Sequence, residues 1–133
     1  KAKFEDVAQP DFIAPSHRRY ELHRVWVIDA TVKAGMRHSA PKRTIYLDED
    51  SWAILEADFF DHKGQLWRTA QAHSYYHVTG QALVNAMEAI YDLRSGRYQL
   101  SGLTNEQPRP YAFDVRTSAS YFSPGALRSQ GLR

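Results

Sequence analysis

The stretch SWAILEADFFDHKGQLWRTAQAHSYY, residues 51 to 76, decides the fold because it joins two strand-like runs through a short turn. The runs are Trp52 to Phe60 and Gln65 to Tyr76, and both carry the aromatic residues that pleated sheets favour. Between them lies Asp61-His62-Lys63-Gly64, whose glycine can adopt the positive φ of a hairpin turn without steric cost. The pattern predicts an antiparallel β-hairpin.

The strand-like pattern continues on both sides of this hairpin. Upstream lie Tyr20 to Lys33, with an almost wholly apolar alternate set, and Arg43 to Asp48. Downstream, Val84 to Leu93 and Arg97 to Leu103 flank the turn Arg94-Ser95-Gly96. The first downstream run also contains alanines, a methionine and a glutamate, so a helical turn is the alternative there. Six strands joined mostly by short turns predict a mainly β, curved antiparallel meander.

The two ends of the chain differ from this pattern. Residues 1–19 contain two prolines and no sustained periodicity, which predicts an extended arm or linker ahead of a single meander domain over residues 20–133. Thr104 to Asp114 is proline-containing and is predicted to be a loop. Ser123-Pro124 combines a capping hydroxyl with a proline at the first helical position, and Gly131 is a natural end. We expect a short C-terminal helix between them.

Composition narrows the class of protein. The 133 residues are 43% hydrophobic and 24% charged, typical of one globular domain, and 13% aromatic, which favours sheet or a binding surface. A net charge of +2 argues against nucleic acid as a partner, and the absence of cysteine excludes disulfides and thiol chemistry. No apolar run reaches the roughly 20 residues that span a bilayer. The chain opens with Lys1 rather than Met, so we expect a processed or trimmed product from which a signal has been removed.

The aromatic residues predict a ligand-binding face. Each of the three tryptophans falls in a different predicted strand. Alternation selects the candidate ligand-binding residues Trp26, Ile28, Trp52, Ile54, Trp67 and Tyr91. A plain hydrophobic core would produce the same pattern. If the face is open, burial of about ten methylenes of an acyl chain would contribute roughly 8 kcal/mol gross.

The sequence contains none of the common catalytic or metal-binding motifs. It contains no GxSxG elbow, no glycine-rich phosphate loop and no HExxH, so we predict no catalytic residues, no cofactor and no metal site. His73 and His77 would lie ~13 Å apart on a strand, too far for one ion. An enzyme would require His23, His73 and a carboxylate to meet in one pocket.

Five arginines leave two interpretations open. They could meet a lipid head group or an acidic partner, or they could lie along solvated strands with their stems covering apolar surface. The set comprises Arg18, Arg19, Arg24, Arg43 and Arg68.

Four stretches resemble a known family. They are YELHRVWVIDATVKAGMRH, PKRTIYLDEDSWAILEADFFDHKGQLWR, YDLRSGRYQLSGLTNE and YFSPGALRSQG. Together they resemble the C-terminal part of a Gram-negative family of unknown function, often described as outer-membrane lipoprotein-sorting-like, over about residues 17–133. That family is in turn similar to the LolA/LolB lipoprotein carriers, whose curved antiparallel sheet forms an incomplete barrel that shelters acyl chains without chemistry.

The resemblance implies a function and a location. It implies a C-terminal fragment of a longer periplasmic or outer-membrane-associated protein that binds an acyl chain or lipoprotein lipid. An envelope transporter, an outer-membrane partner and a second copy of the chain are the further partners it leaves open. The alternative is a structural or interaction module that docks by a sheet edge or its aromatic face. This chain lacks the long helices that close the mouth of the carriers.

Overall fold

The computed structural model describes residues 2–108 and 111–131. Lys1, the pair Arg109 and Pro110, and the pair Leu132 and Arg133 lie outside the described residues, and with them part of the predicted loop.

One antiparallel sheet dominates the structure. Its strands are β1 (Val25–Thr31), β2 (Lys42–Asp48), β3 (Ile54–Phe60), β4 (Leu66–His77), β5 (Ala82–Asp92) and β6 (Arg97–Ser101). They lie in sequence order and each pairs antiparallel with the next, so the predicted six-stranded meander is confirmed. Within the described residues β1 and β6 are open edges, so the sheet does not close. The helical alternative for the fifth run is wrong, because the whole run pairs with β4.

The predicted turns form as their glycines require. Gly64 and Gly96 have φ values of 73° and 68°, a region open to glycine without strain. The buried Asp61 carboxylate accepts from the backbone N–H groups of Lys63 and Gln65, each at 2.8 Å. It also accepts from the guanidinium of Arg94 in the β5–β6 turn. This contact links the β3–β4 and β5–β6 turns, which lie at the same end of the sheet.

The register divides the sheet into two faces, since residues directly opposite each other in an antiparallel pair point to the same side. The groove face carries the paired residues Val27, Tyr46, Glu56, Gln71, Ala89 and Leu100. The outer face carries Ile28, Ile45, Ala57, Ala70, Ile90 and Gln99. The register shifts once each in the second, third and fourth pairings, which leaves Leu55, Trp67 and Ala86 as extra residues. Such bulges bend a sheet and increase its twist.

The N-terminal segment covers one end of the groove face. It forms helix α1 (Phe4–Val7) and an antiparallel bridge between Ala8 and Ile13. Val7 and Ile13 pack against Met87 and Ala89 of β5 to form the buried core cluster. The prediction of an arm over residues 1–19, ahead of a domain over 20–133, remains a prediction, but the described part of this arm is packed against the sheet.

The C-terminal helix is α2 (Pro124–Gln130), as predicted. The Ser123 hydroxyl accepts from the backbone N–H of Ala126 at 3.2 Å, and the N–H of Gly131 donates to Leu127 at 3.2 Å. In the part of the chain that the structure describes, no helix has the length and apolar character needed to cross a bilayer.

Candidate functional site

A groove of about 1200 Å³ opens on the groove face over β2, β3 and β4. The N-terminal segment, through Ala2 and Val7, and the loop 103–105 form one wall. The irregular segment 17–23 forms the other. The groove exists because the N-terminal segment covers β5 and β6 but leaves the middle strands open.

The irregular wall replaces the first part of the strand predicted from Tyr20. Strand β1 begins only at Val25, because its last ladder partner is Asp48, where β2 ends and a turn begins. Residues before Val25 therefore have no strand to pair with. They run along the groove instead, where His23 bonds to Asp48 at 3.0 Å.

Much of the groove lining is apolar. The aliphatic and aromatic side chains come from both walls and from the strands. They are Val7, Leu22, Val25, Leu55, Tyr75, Tyr76, Leu83, Met87 and Leu103. Together they offer a continuous surface for an apolar chain.

The floor of the groove is polar at its centre. The Tyr46 hydroxyl donates to Asp58 at 3.2 Å, and the negative charge of Asp58 raises the pKa of Tyr46. The Gln71 amide donates to Glu56 at 3.0 Å. The groove therefore combines apolar walls with fixed polar groups in its floor, which is the mixed lining typical of small-molecule sites.

Several polar atoms around this floor are shielded from water and have no hydrogen-bond partner. Those belonging to groove-lining residues are Nε of Arg18, Oε1 of Gln71, Nε2 of His73 and Oδ1 of Asn105. The Tyr91 hydroxyl, on the neighbouring strand, is also unpartnered. Burial, followed by the positive charge of Arg18, lowers the pKa of His73, so the imidazole is neutral at pH 7. Each such atom costs free energy unless something pairs with it.

His23, Asp48 and Ser51 form a hydrogen-bonded cluster at the rim. Asp48 accepts from the Ser51 hydroxyl at 2.5 Å and from the Ser51 N–H at 2.9 Å. These bonds, ahead of the contact with His23, lower the pKa of Asp48. The cluster fixes the β2–β3 turn.

This cluster bears on the enzymatic alternative, because His23, His73, Asp48 and Glu56 do line one groove. The Ser51 hydroxyl, however, donates to the carboxylate and not to the imidazole, which is the wrong order for an activated nucleophile. His73 lies on β4, two strands from Asp48, a separation of about 10 Å across the sheet. Apart from the bond between His23 and Asp48, these four groups share the groove without hydrogen bonds or ion pairs between them.

The histidines do not gather into a metal site. Among residues 2–108 and 111–131, no three histidine, aspartate or glutamate side chains could hold one ion. His77 stabilises the turn between β4 and β5. Its Nδ1 accepts from the N–H of Gly80 at 3.0 Å, and its ring lies 4.3 Å from that of Phe113.

Three of the predicted ligand-binding residues lie on the outer face. Trp26, Ile28 and Ile54 are 55%, 43% and 51% exposed, and the pairings of β1, β2 and β3 place them together. Trp52 is in the β2–β3 turn with a φ of 58° and is 68% exposed.

The other two predicted residues are held by neighbours. Trp67 donates from Nε1 to Asp92 at 3.0 Å, with the Arg68 guanidinium 4.1 Å from its ring. Tyr91 is on the groove face but packs against the core cluster and stacks on Tyr98 at 5.6 Å. None of the six lines the groove, and their ligand-binding role stays a prediction.

Sequence reasoning missed the polar floor. For β1 and β3 it selected the alternate set on the outer face, whereas the groove lies over the set that contains Tyr46, Glu56 and Gln71. The polar character of this second set was the one signal of the groove in the sequence. A solvent-exposed face of a sheet has the same polar character, so the signal does not distinguish the two.

Comparisons with known proteins give a family and a fold. The family model described as "Protein of unknown function (DUF1329)" matches residues 1–128. An uncharacterized protein of Pseudomonas aeruginosa is 43% identical over 133 residues, which are 100% of this chain and 29% of that protein. The chain thus spans less than a third of that relative.

Two crystal structures share the fold. One is of a domain named as a candidate outer membrane lipoprotein-sorting protein from Vibrio parahaemolyticus, with a TM-score of 0.52 and 18% identity. The alignment covers 78% of this chain and 42% of that one. The other is of a DUF1329 family protein from Desulfovibrio piger, with a TM-score of 0.51, 20% identity, and 77% and 40% coverage.

Proposed function

Since the chain belongs to the DUF1329 family, a family of unknown function, and shares the fold of a lipoprotein-sorting-like domain, we propose that it is part of a non-catalytic lipid- or lipoprotein-binding protein. In this proposal the groove takes up an acyl chain reversibly. The observation that carries it is the open groove of about 1200 Å³, walled by aliphatic and aromatic side chains.

The size and chemistry of the groove support this function. Sites for small molecules typically measure roughly 300 to 1,000 Å³, so the groove can hold a chain of about ten carbons. Burial of ten methylenes would contribute roughly 8 kcal/mol before association costs, enough for micromolar to millimolar binding. The Ser51 hydroxyl donates to Asp48 and not to His23, and this order of contacts supports carriage without chemistry.

The location and partners belong to the same proposal. We propose a periplasmic protein, associated with the outer membrane, that receives lipid from or passes it to an envelope transporter or an outer-membrane partner. The name of the Vibrio relative supports an envelope location.

Native mass spectrometry of the protein extracted from its own cells tests the proposal, followed by titration with a fluorescent acyl probe. We expect a lipid-bound species and saturable probe binding. Leu83→Gln, which makes the groove wall polar, should weaken probe binding several-fold. Leu93→Gln is the matched control, because Leu93 is similarly exposed, at 52% against 42% for Leu83, and lies away from the groove. A protein that is lipid-free and ignores the probe would contradict lipid carriage.

A second candidate function is an interaction module, which the outer face favours. Trp26, Ile28 and Ile54 leave an apolar surface exposed there, and such patches often mark protein interfaces. The partner we consider is a second copy of the chain. Size-exclusion chromatography with light scattering tests this: a tight dimer that Trp26→Ala dissociates supports it, and a monomer at all concentrations contradicts it.

A further inference from the structure

Arg18 is unusual among the five arginines singled out in the sequence. Arg19 pairs with Glu21 at 2.8 Å, Arg24 with Glu49 at 2.9 Å and Arg68 with Asp92 at 3.0 Å, and Arg43 contacts His38 at 3.3 Å. Among the residues that the structure describes, no carboxylate lies within ion-pair distance of Arg18. Arg18 is half-buried and lines the groove.

Unpartnered atoms of other residues lie in the same groove as this cation. Gln71 and His73 are two residues apart on the same face of β4, which places them about 7 Å from each other. The positive charge of Arg18 contributes to the lowered pKa of His73, as expected for two groups that line one groove.

Two of the unpartnered atoms in the groove can donate hydrogen bonds. Nε of Arg18 donates only, and neutral His73 can donate one hydrogen. The unpartnered atom of Gln71 is its carbonyl oxygen, which accepts, and its amide nitrogen already donates to Glu56. A half-buried guanidinium with a neutral donor in the same groove can bind phosphate or carboxylate oxygens.

We infer that Arg18, with His73, binds the anionic end of an amphiphile whose chain lies along the apolar walls of the groove. The group recognised is a phosphate or a carboxylate. Arg18 follows the 3-10 helix Pro15–His17 and begins the irregular segment that leads to β1. This inference rests on the proposed function and gives its ligand a charge.

Affinities for decyl phosphate, decanol and inorganic phosphate test the inference by calorimetry at neutral pH. We expect decyl phosphate to bind about tenfold more tightly than decanol, because one charge-assisted hydrogen bond contributes that much. Arg18→Gln should remove the preference and leave the affinity for decanol unchanged, which also shows that the variant is folded. Arg18→Lys should restore part of it. Arg24→Gln is the matched control, since Arg24 lies on the same irregular segment, is already paired with Glu49 and does not line the groove.

The possible outcomes separate the two claims. Equal affinity for decyl phosphate and decanol, unaffected by Arg18→Gln, overturns the inference and leaves lipid binding intact. Failure of both amphiphiles to bind overturns the proposed function. Tight binding of inorganic phosphate alone, with no gain from the decyl chain, identifies a free-anion site and overturns the amphiphile.

Discussion

Ile13→Ala should loosen the wall of the groove and lower the free energy of unfolding by about 2 to 3 kcal/mol. Ile13 has an exposed fraction of 0% and lies between the N-terminal segment and β5, in contact with the cluster of Val7, Met87 and Ala89. Replacing a buried isoleucine by alanine costs ~2–5 kcal/mol, and the lower half applies where a small core can collapse around the cavity. That loss is a large fraction of the stability of an ordinary domain.

Urea denaturation measures the loss, and amide hydrogen exchange shows where it falls. We expect the N–H groups that tie the segment down, of which Ala14 donates to Val7 at 2.9 Å, to exchange faster while those in the centre of the sheet stay protected. Phe12→Ala is the control, because Phe12 is a larger side chain on the same segment but is 49% exposed. The reasoning is refuted if Phe12→Ala costs as much as Ile13→Ala, or if the exchange rates rise uniformly across the sheet.

Three further results are expected. The pKa of Asp92 is lowered from 3.8 to about 2, mainly by a hydrogen bond from the backbone N–H of Ser95 and to a smaller extent by an arginine contact. The stabilising contribution of Asp92 is therefore complete above pH 4 and is lost as the pH falls towards 2. Asp92→Asn should therefore flatten the acid limb of unfolding free energy against pH, and an unchanged limb would contradict this. Gly80→Ala should displace the Phe113 ring, which occupies the position of the new Cβ, and change its NMR shifts, while Gly125→Ala, inside α2, should not. Trp26→Ala should leave affinity for decyl phosphate unchanged if the groove is the site, whereas a several-fold loss would move the site to the outer face.

The architecture was predictable because its signals are local. Gly64 and Gly96 mark turns whose backbone demands glycine, and the strands between them need only the nearest neighbour in sequence to pair with. The C-terminal helix was equally local, since Ser123 caps it through a bond three residues away. Such features require no knowledge of distant contacts.

The position of the groove was not predictable in the same way. Which face of the sheet forms a groove depends on where residues 2–17 pack, and that depends on Ile13 meeting Met87, a contact between residues far apart in the sequence. Alternation identifies two faces of each strand but cannot say which one the N-terminal segment covers. The apolar set that contains Trp26 was therefore predicted to bind a ligand, whereas the groove lies over the set that contains Gln71.

The contrast between the two faces favours the groove as the ligand site on energetic grounds. The outer face exposes Trp26 and Ile28, whose burial against any apolar partner would be favourable but unselective. The groove instead keeps Nε of Arg18 and Nε2 of His73 shielded from water without a hydrogen-bond partner, which costs free energy unless a ligand pairs with them. A ligand with both an apolar chain and an anionic end would recover that cost while filling the walls. The face that is less apolar is thus the one better suited to bind a lipid, because specificity depends on the polar groups that the ligand satisfies.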